Sequence, residues 1–315
     1  MDQRSKVSIP FYLITGFLGS GKTTLLKGIL DYFGHQKKVA VIENEFADRG
    51  IDTIDLNKGD NTPYRIIELN KGSVFCACLL PEFTSACEQL GKDFELDAII
   101  LEATGLADPI AVGQILRKPP LDKMLYLAMT ICISDAVSFL KLEKLILRMQ
   151  HQVRVADHVL VNKCDLVTTE HVQNIHERIR ALNPFCKITD TSFCKFIPDD
   201  LFGADSDSPI ANTLDNIDSA GRPPISSTVI RTTKKISKDN LSVFLDSFKD
   251  AYRIKGFVNI IDKSKNSDFA IQYASDTLRM HPILEHVGPT ELVILSPHHE
   301  SNYVESYFLR LCDES

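Results

Sequence analysis

The chain has 315 residues, 44% hydrophobic and 24% charged, with a formal net charge of -7. That length exceeds one ordinary core, so a large and a small domain are expected; the acidic balance argues against nucleic acid as main partner, because such binding rests on lysine and arginine displacing counterions. Residues 1–8 are polar and no later apolar run is long enough to span a bilayer, so no membrane partner and a cytoplasmic location are expected.

The first apolar run, at 11–15, predicts a strand, and the amphipathic run at 25–33 predicts a helix. Between them, Gly16-Phe17-Leu18-Gly19-Ser20-Gly21-Lys22-Thr23-Thr24 fits G-x-x-x-x-G-K-[ST] in the strand, loop, helix context that such a match requires. Gly16, Gly19 and Gly21, with Ser20 between them, let the backbone turn so that successive N–H groups and a helix N-terminus face a phosphate. Lys22 is then expected to reach the β and γ phosphates, the Thr23 hydroxyl to ligate magnesium, and Thr24 to end the binding stretch and support the first helical turn.

Further along, 38–43 reads as a buried strand, 44–60 as a polar, carboxylate-rich segment suited to sensing a γ phosphate, and 64–69 as a strand. A loop at 70–78 and a helix at 81–90 follow. The strand at 97–102 ends in Glu102-Ala103-Thr104-Gly105, where Glu102 is expected to hold the magnesium or its water and the Gly105 N–H to meet the γ phosphate. Strands at 124–133 and 158–161, separated by one helical segment at 136–150, complete an α/β pattern. Such alternation implies a mainly parallel sheet covered on both faces, with ligands at the carboxyl ends of its strands.

Residues 204–224 are rich in Ser, Asp, Asn, Gly and Pro, so they are expected to link a domain at 1–203 to one at 225–315. The second reads as α+β, with strands at 226–233, 256–261, 269–273 and 291–296, helices at 239–251 and about 300–311, and one sheet face covered.

Asn162-Lys163-Cys164-Asp165 follows a strand about 140 residues after the phosphate loop and matches N-K-x-D. Guanine presents two adjacent donors, N1–H and the exocyclic amine, that one carboxylate such as Asp165 can accept together; adenine has no such pair. A GTP-binding, magnesium-dependent GTPase is therefore expected, and a metabolic kinase using ATP is disfavoured.

The eight cysteines are scattered, and only Cys76-Ala77-Cys78 brings two close enough for a shared soft metal ion. Two thiolates do not close a tetrahedral site, so Glu43, Glu45, Asp48 or a second chain in a homodimer would have to contribute; core packing is the alternative for this pair. Cys87, Cys132, Cys186 and Cys194 read as core or surface thiols, and His298-His299-Glu300 as a polar helix start, with a metal site as the alternative.

With these motifs the sequence resembles the CobW-type P-loop GTPases, the metal-chaperone branch similar to UreG and HypB. The resemblance runs through TGFLGSGKTTLL at 15–26, VIENEF at 41–46, LEATGLADP at 101–109, ADHVLVNKCD at 156–165 and RIKGFVNI at 253–260. It implies a SIMIBI-like GTPase domain with a CobW-type C-terminal domain, and a slow GTPase that couples nucleotide state to delivering a transition metal, zinc first, cobalt or nickel otherwise, to a client metalloprotein. An accessory factor for corrinoid proteins and a metal-independent switch are the alternatives. Where the family carries Gly-Cys-x-Cys-Cys, this chain reads Gly72-Ser73-Val74-Phe75-Cys76-Ala77-Cys78. Only Cys76 falls on a family cysteine, so the resemblance implies metal ligation by Cys76 and Glu43, and Cys78 joins them by proximity.

Overall fold

The computed structural model describes residues 9–33, 38–43, 64–68, 83–85, 87–88, 96–196, 225–251, 253–262, 265–274, 277–283, 288–297 and 299–313. Its first sheet is built from β1 (Ile9–Gly16), β2 (Val39–Glu43), β3 (Tyr64–Glu68), β4 (Ala98–Glu102), β5 (Leu125–Asp135), β6 (His158–Asn162) and β7 (Lys187–Asp190). The strands run in the order β3-β2-β4-β1-β5-β6-β7, and each neighbouring pair is parallel.

Every residue of β1 is buried, which is why it reads as a continuous apolar run rather than an alternating one. Its side chains still divide by face. Phe11 and Leu13 enter one core with Phe83, Ile99, Leu101 and Val112. Tyr12 and Ile14 enter another with Leu25, Leu26 and Ile29 of the helix Lys22–Phe33. A sheet covered on both faces can deliver ligands only at its ends, and the carboxyl ends of β1, β4, β5 and β6 all lie at one of them.

The expected single helix over 136–150 is corrected: the chain forms a short helix, Phe139–Leu142, then a turn, then a second helix, Leu147–Val155. Glu143 is the reason. Its carboxylate is fully buried and gripped by Arg178, while Gln150 donates to its carboxylate and to its main-chain oxygen. A chain that must hold a buried charge in that orientation leaves the helical path. Arg178 comes from Thr169–Leu182, a helix capped by the Thr168 hydroxyl.

The second sheet contains β8 (Ile225–Thr232), β9 (Lys235–Ser237), β10 (Arg253–Asp262), β11 (Lys265–Ala274), β12 (Thr277–Ile283), β13 (Thr290–Pro297) and β14 (Cys312–Asp313). Its main path, β12-β11-β10-β13-β8, is antiparallel. Helices Lys238–Ser247 and Ser301–Leu311 cover one face, where Phe244, Phe248 and Phe308 pack on Ile230, Ile254, Ile271 and Ile294.

The expectation that only one face of this sheet is covered is also corrected. Val229 and Val293 belong to the same core as Val112, Leu116 and Leu127 of the first domain. Gly113 makes that approach possible, since a Cβ there would stand 2.6 Å from Val229 Cγ2. Around this apolar contact, Arg117 donates to the Val229 carbonyl at 2.7 Å and pairs with Glu305, and Asp157 pairs with Arg253 at 3.1 Å and with Lys255. The linker expected at 204–224 lies outside the described residues.

Candidate functional site

The phosphate loop leaves β1 at Gly16 and enters the helix at Lys22. Gly16, Gly19 and Gly21 have φ of 139°, 71° and 114°, all in the region that L side chains avoid. Two of the three are also pinned by space: a Cβ on Gly16 would strike the Ile133 carbonyl of β5, and one on Gly21 would stand 2.6 Å from both Asn162 Nδ2 and Cys194 Sγ. Gly19 faces open space. Two fully buried hydroxyls, Thr15 Oγ1 and Ser20 Oγ, have no hydrogen-bond partner among the described residues. Orphaned buried donors beside a turn of this shape suit a polar ligand.

Lys22 is buried and its ammonium donates back to the Phe17 carbonyl at 3.3 Å, inside the same loop. The Thr23 hydroxyl donates to Glu102 Oε1 at 2.8 Å. Glu102 reaches that place because β4 pairs with β1 with Ile14 opposite Glu102, and the Ala103 N–H then continues onto the Ile14 carbonyl. A hydroxyl and a carboxylate meeting here are hard oxygen donors of the kind magnesium takes. Thr24 is exposed in the first turn of the helix.

After Glu102 the chain crosses in front of the phosphate loop. Gly105 is buried, and a Cβ on it would stand 2.6 Å from the Leu18 N atom. The loop is held from behind by Gln152, a buried side chain whose amide donates to Gly105 O at 3.0 Å and Ala107 O at 3.2 Å. It ends at Asp108, whose Oδ1 accepts from Ile110 N at 3.0 Å and so caps the helix Pro109–Leu116. Asp108, not Glu102, is the cap of that helix.

The N-K-x-D residues stand at the end of β6. Asn162 is buried, donating to the Ser20 carbonyl at 2.8 Å and accepting from the Cys194 N–H at 2.9 Å. Lys163 adopts φ 66° and its ammonium pairs with Asp135 at the end of β5, 2.7 Å away. Asp165 lies in the exposed 3-10 turn Cys164–Leu166. The loop at 191–196 closes this side, with Phe193 and Cys194 both left-handed and Phe193 72% exposed.

The nucleotide residues expected from the sequence thus converge on one end of the first sheet. Glu43 ends β2 in register with Glu102. Cys76, Cys78 and the segment 44–60 lie outside the described residues. Among the described residues no group of three or more His, Cys, Asp or Glu could hold a metal ion. Burial raises the thiols of Cys87, Cys132 and Cys186 to about 12 and that of Cys194 to about 11, so they stay protonated core groups. His299 pairs with Asp250 at 3.0 Å just before the last helix, and His298 lies outside the described residues.

Four contributors escaped the sequence reading: Asp135, Gln152, Asp108 and the Cys194 amide. Asp135 carried a signal, since it ends a buried strand as Glu102 and Asn162 do. Asp108 caps its helix locally, as an Asp before Pro can, whereas Gln152 and the Cys194 amide act through contacts 32 to 47 residues away in the chain.

Residues 10–190 match the family described as CobW/HypB/UreG, nucleotide-binding domain, and residues 225–311 match the cobalamin synthesis protein cobW C-terminal domain. The zinc-regulated GTPase metalloprotein activator 1 of Saccharomyces cerevisiae is 30% identical over 238 residues, 68% of this chain and 52% of that protein. The zinc chaperone YjiA of Escherichia coli is 34% identical over 176 residues, 54% of each chain. The chain thus spans about half the length of these curated relatives. The crystal structure of the Zn(II)-bound YjiA GTPase from E. coli aligns with 96% of this chain and 99% of its own at 22% identity, with a TM-score of 0.48.

Proposed function

The chain belongs to the CobW/HypB/UreG nucleotide-binding family, and from that premise we propose that it is a slow, magnesium-dependent GTPase that couples nucleotide state to holding and delivering a transition metal, zinc foremost, to a client metalloprotein. The observation that carries the nucleotide half is the convergence at one sheet end of Lys22, the Thr23–Glu102 pair and Asn162, with Asn162 bonded directly to the phosphate loop. Support for the metal half comes from relatives whose names carry zinc.

In this reading the amides of the loop from Gly16 to Thr24 and the Lys22 ammonium bind the phosphates, and Asp165 accepts from the guanine N1–H and amine. Lys22 leaves its Phe17 carbonyl for the β and γ phosphate oxygens. Thr23 and Glu102 would hold magnesium, which offsets phosphate charge when bound. Gly105 donates its N–H to the γ phosphate, so only the triphosphate engages the 103–108 loop. The transported ion is assigned to Cys76 and Cys78 with Glu43, and Glu43 stands beside Glu102 in the sheet. A metal and a triphosphate that both pull on neighbouring strand ends must change each other's affinity by one common factor.

The test is equilibrium titration of a non-hydrolysable GTP analogue with and without zinc. Different affinities are expected; equal ones remove the coupling. A metal-independent switch is the second reading, and it is favoured by the single family cysteine, Cys76, left in this chain. Cys76→Ser combined with Cys78→Ser separates the two: metal stoichiometry collapses with GTP binding intact under the first reading, and nothing changes under the second.

A further inference from the structure

Arg231 lies on β8 of the second domain, paired in register with Glu291 on β13. Its guanidinium donates to Glu291 Oε1 at 2.8 Å from Nε and 2.6 Å from Nη2, and Glu291 is only 2% exposed. The remaining nitrogen, Nη1, reaches out of the sheet to Asp108 Oδ2 at 2.9 Å. Asp108 is the last residue of the 103–108 loop, and its other oxygen starts the helix behind it. Arg148, half exposed, stands 3.6 Å from the same Oδ2.

That loop therefore has two supports. Gln152 holds its carbonyls at 105 and 107 from the first domain, and Arg231 holds its C-terminal end from the second. Between them Gly105 sits so close to the phosphate loop that a methyl group would meet the Leu18 backbone. The guanidinium is itself immobilised by a buried carboxylate, so it acts as a fixed post and not as a mobile surface cation.

We propose that Arg231 is a positioning residue for the triphosphate: through Asp108 the C-terminal domain presets the 103–108 loop so that the Gly105 N–H is in place when a γ phosphate arrives. This rests on the nucleotide reading given above and adds that the second domain sets the preference for triphosphate over diphosphate. A preset donor favours the ligand that uses it and leaves the other alone. Whatever shifts β8 or β13, a bound client included, must then shift that preference too, because the coupling is reciprocal.

The experiment measures the affinity of GDP and of a non-hydrolysable GTP analogue, with magnesium, for the full chain and for Asp108→Asn, Arg231→Gln and Arg231→Lys. Asparagine retains the helix cap, so Asp108→Asn removes the charge without the fold penalty of losing the cap. The analogue is expected to bind about five- to tenfold more weakly to Asp108→Asn and Arg231→Gln, with GDP affinity unchanged. Arg231→Lys, which keeps a cation between the two carboxylates, recovers part of the preference. An unchanged ratio in both variants, or equal weakening of both nucleotides, overturns the positioning role. A native chain that binds neither nucleotide removes the parent reading, and a native chain that prefers the triphosphate while both variants match it removes only this one.

Discussion

Asn162 donates its side-chain amide to the Ser20 carbonyl at 2.8 Å across 142 residues of chain, and its carbonyl oxygen takes the Cys194 N–H at 2.9 Å. One buried side chain thereby locks the strand that carries N-K-x-D, the phosphate loop and the 191–196 loop into a single frame. The groups proposed to read the base and those proposed to bind the phosphates then keep a fixed separation through Asn162.

Asn162→Ala removes both bonds and strands buried polar groups. A loss of about 1–3 kcal/mol in unfolding free energy is expected, followed by chemical denaturation. Weaker binding of GDP and GTP alike should accompany it, since both ligands use that frame.

The glycines of the phosphate loop are expected to respond unequally. Gly21→Ala must fit a methyl 2.6 Å from Asn162 Nδ2 and Cys194 Sγ at φ 114°, whereas Gly19→Ala meets open space at φ 71°. The first should abolish nucleotide binding; the second should cost about 1 kcal/mol of backbone strain and leave binding measurable by fluorescence titration.

Asp165→Asn replaces an acceptor of two donors by an amide that accepts one and donates one. Affinity for guanine nucleotides should fall by about a hundredfold or more. Xanthine nucleotides, which carry a carbonyl where guanine has its amine, should gain, and competition titration reads both.

Acid should loosen the contact between the domains. Burial alone would raise the Asp157 carboxyl, but Arg253, Lys255 and the Thr130 N–H outweigh it and hold the group below its ordinary value of 3.8. A carboxyl depressed on folding contributes stability above the unfolded value, and that contribution is lost as pH falls through the lower folded value. Thermal unfolding of the native chain should therefore fall off below about pH 4 more steeply than that of Asp157→Asn, which starts lower and loses less.

Six strands of the first sheet and the phosphate loop could be read from the chain because local rules decide them: apolar runs mark buried strands, and glycines mark the turn; β7, a half-exposed edge strand reading Lys-Ile-Thr-Asp, has no such run and was missed. The break at Glu143 could not, since it depends on Arg178, which arrives from a helix 35 residues later. The buried inner face of β8 and β13 was hidden for a different reason. The sequence pattern shows only which face the strands' own helices cover, and the cover on the other face depends on Arg231 pairing with Glu291 and with Asp108 of the first domain. Gln152 carried no signal at all, because a glutamine that bonds main-chain carbonyls leaves no pattern around it.

Under the proposed function the loop from Gly16 to Thr24 and Asp165 together hold a guanosine triphosphate. Calorimetric titration of the purified chain with non-hydrolysable GTP and ATP analogues, magnesium present, tests it most directly. Binding of the guanosine analogue at least about a hundredfold tighter is predicted; equal affinity for the two would contradict it.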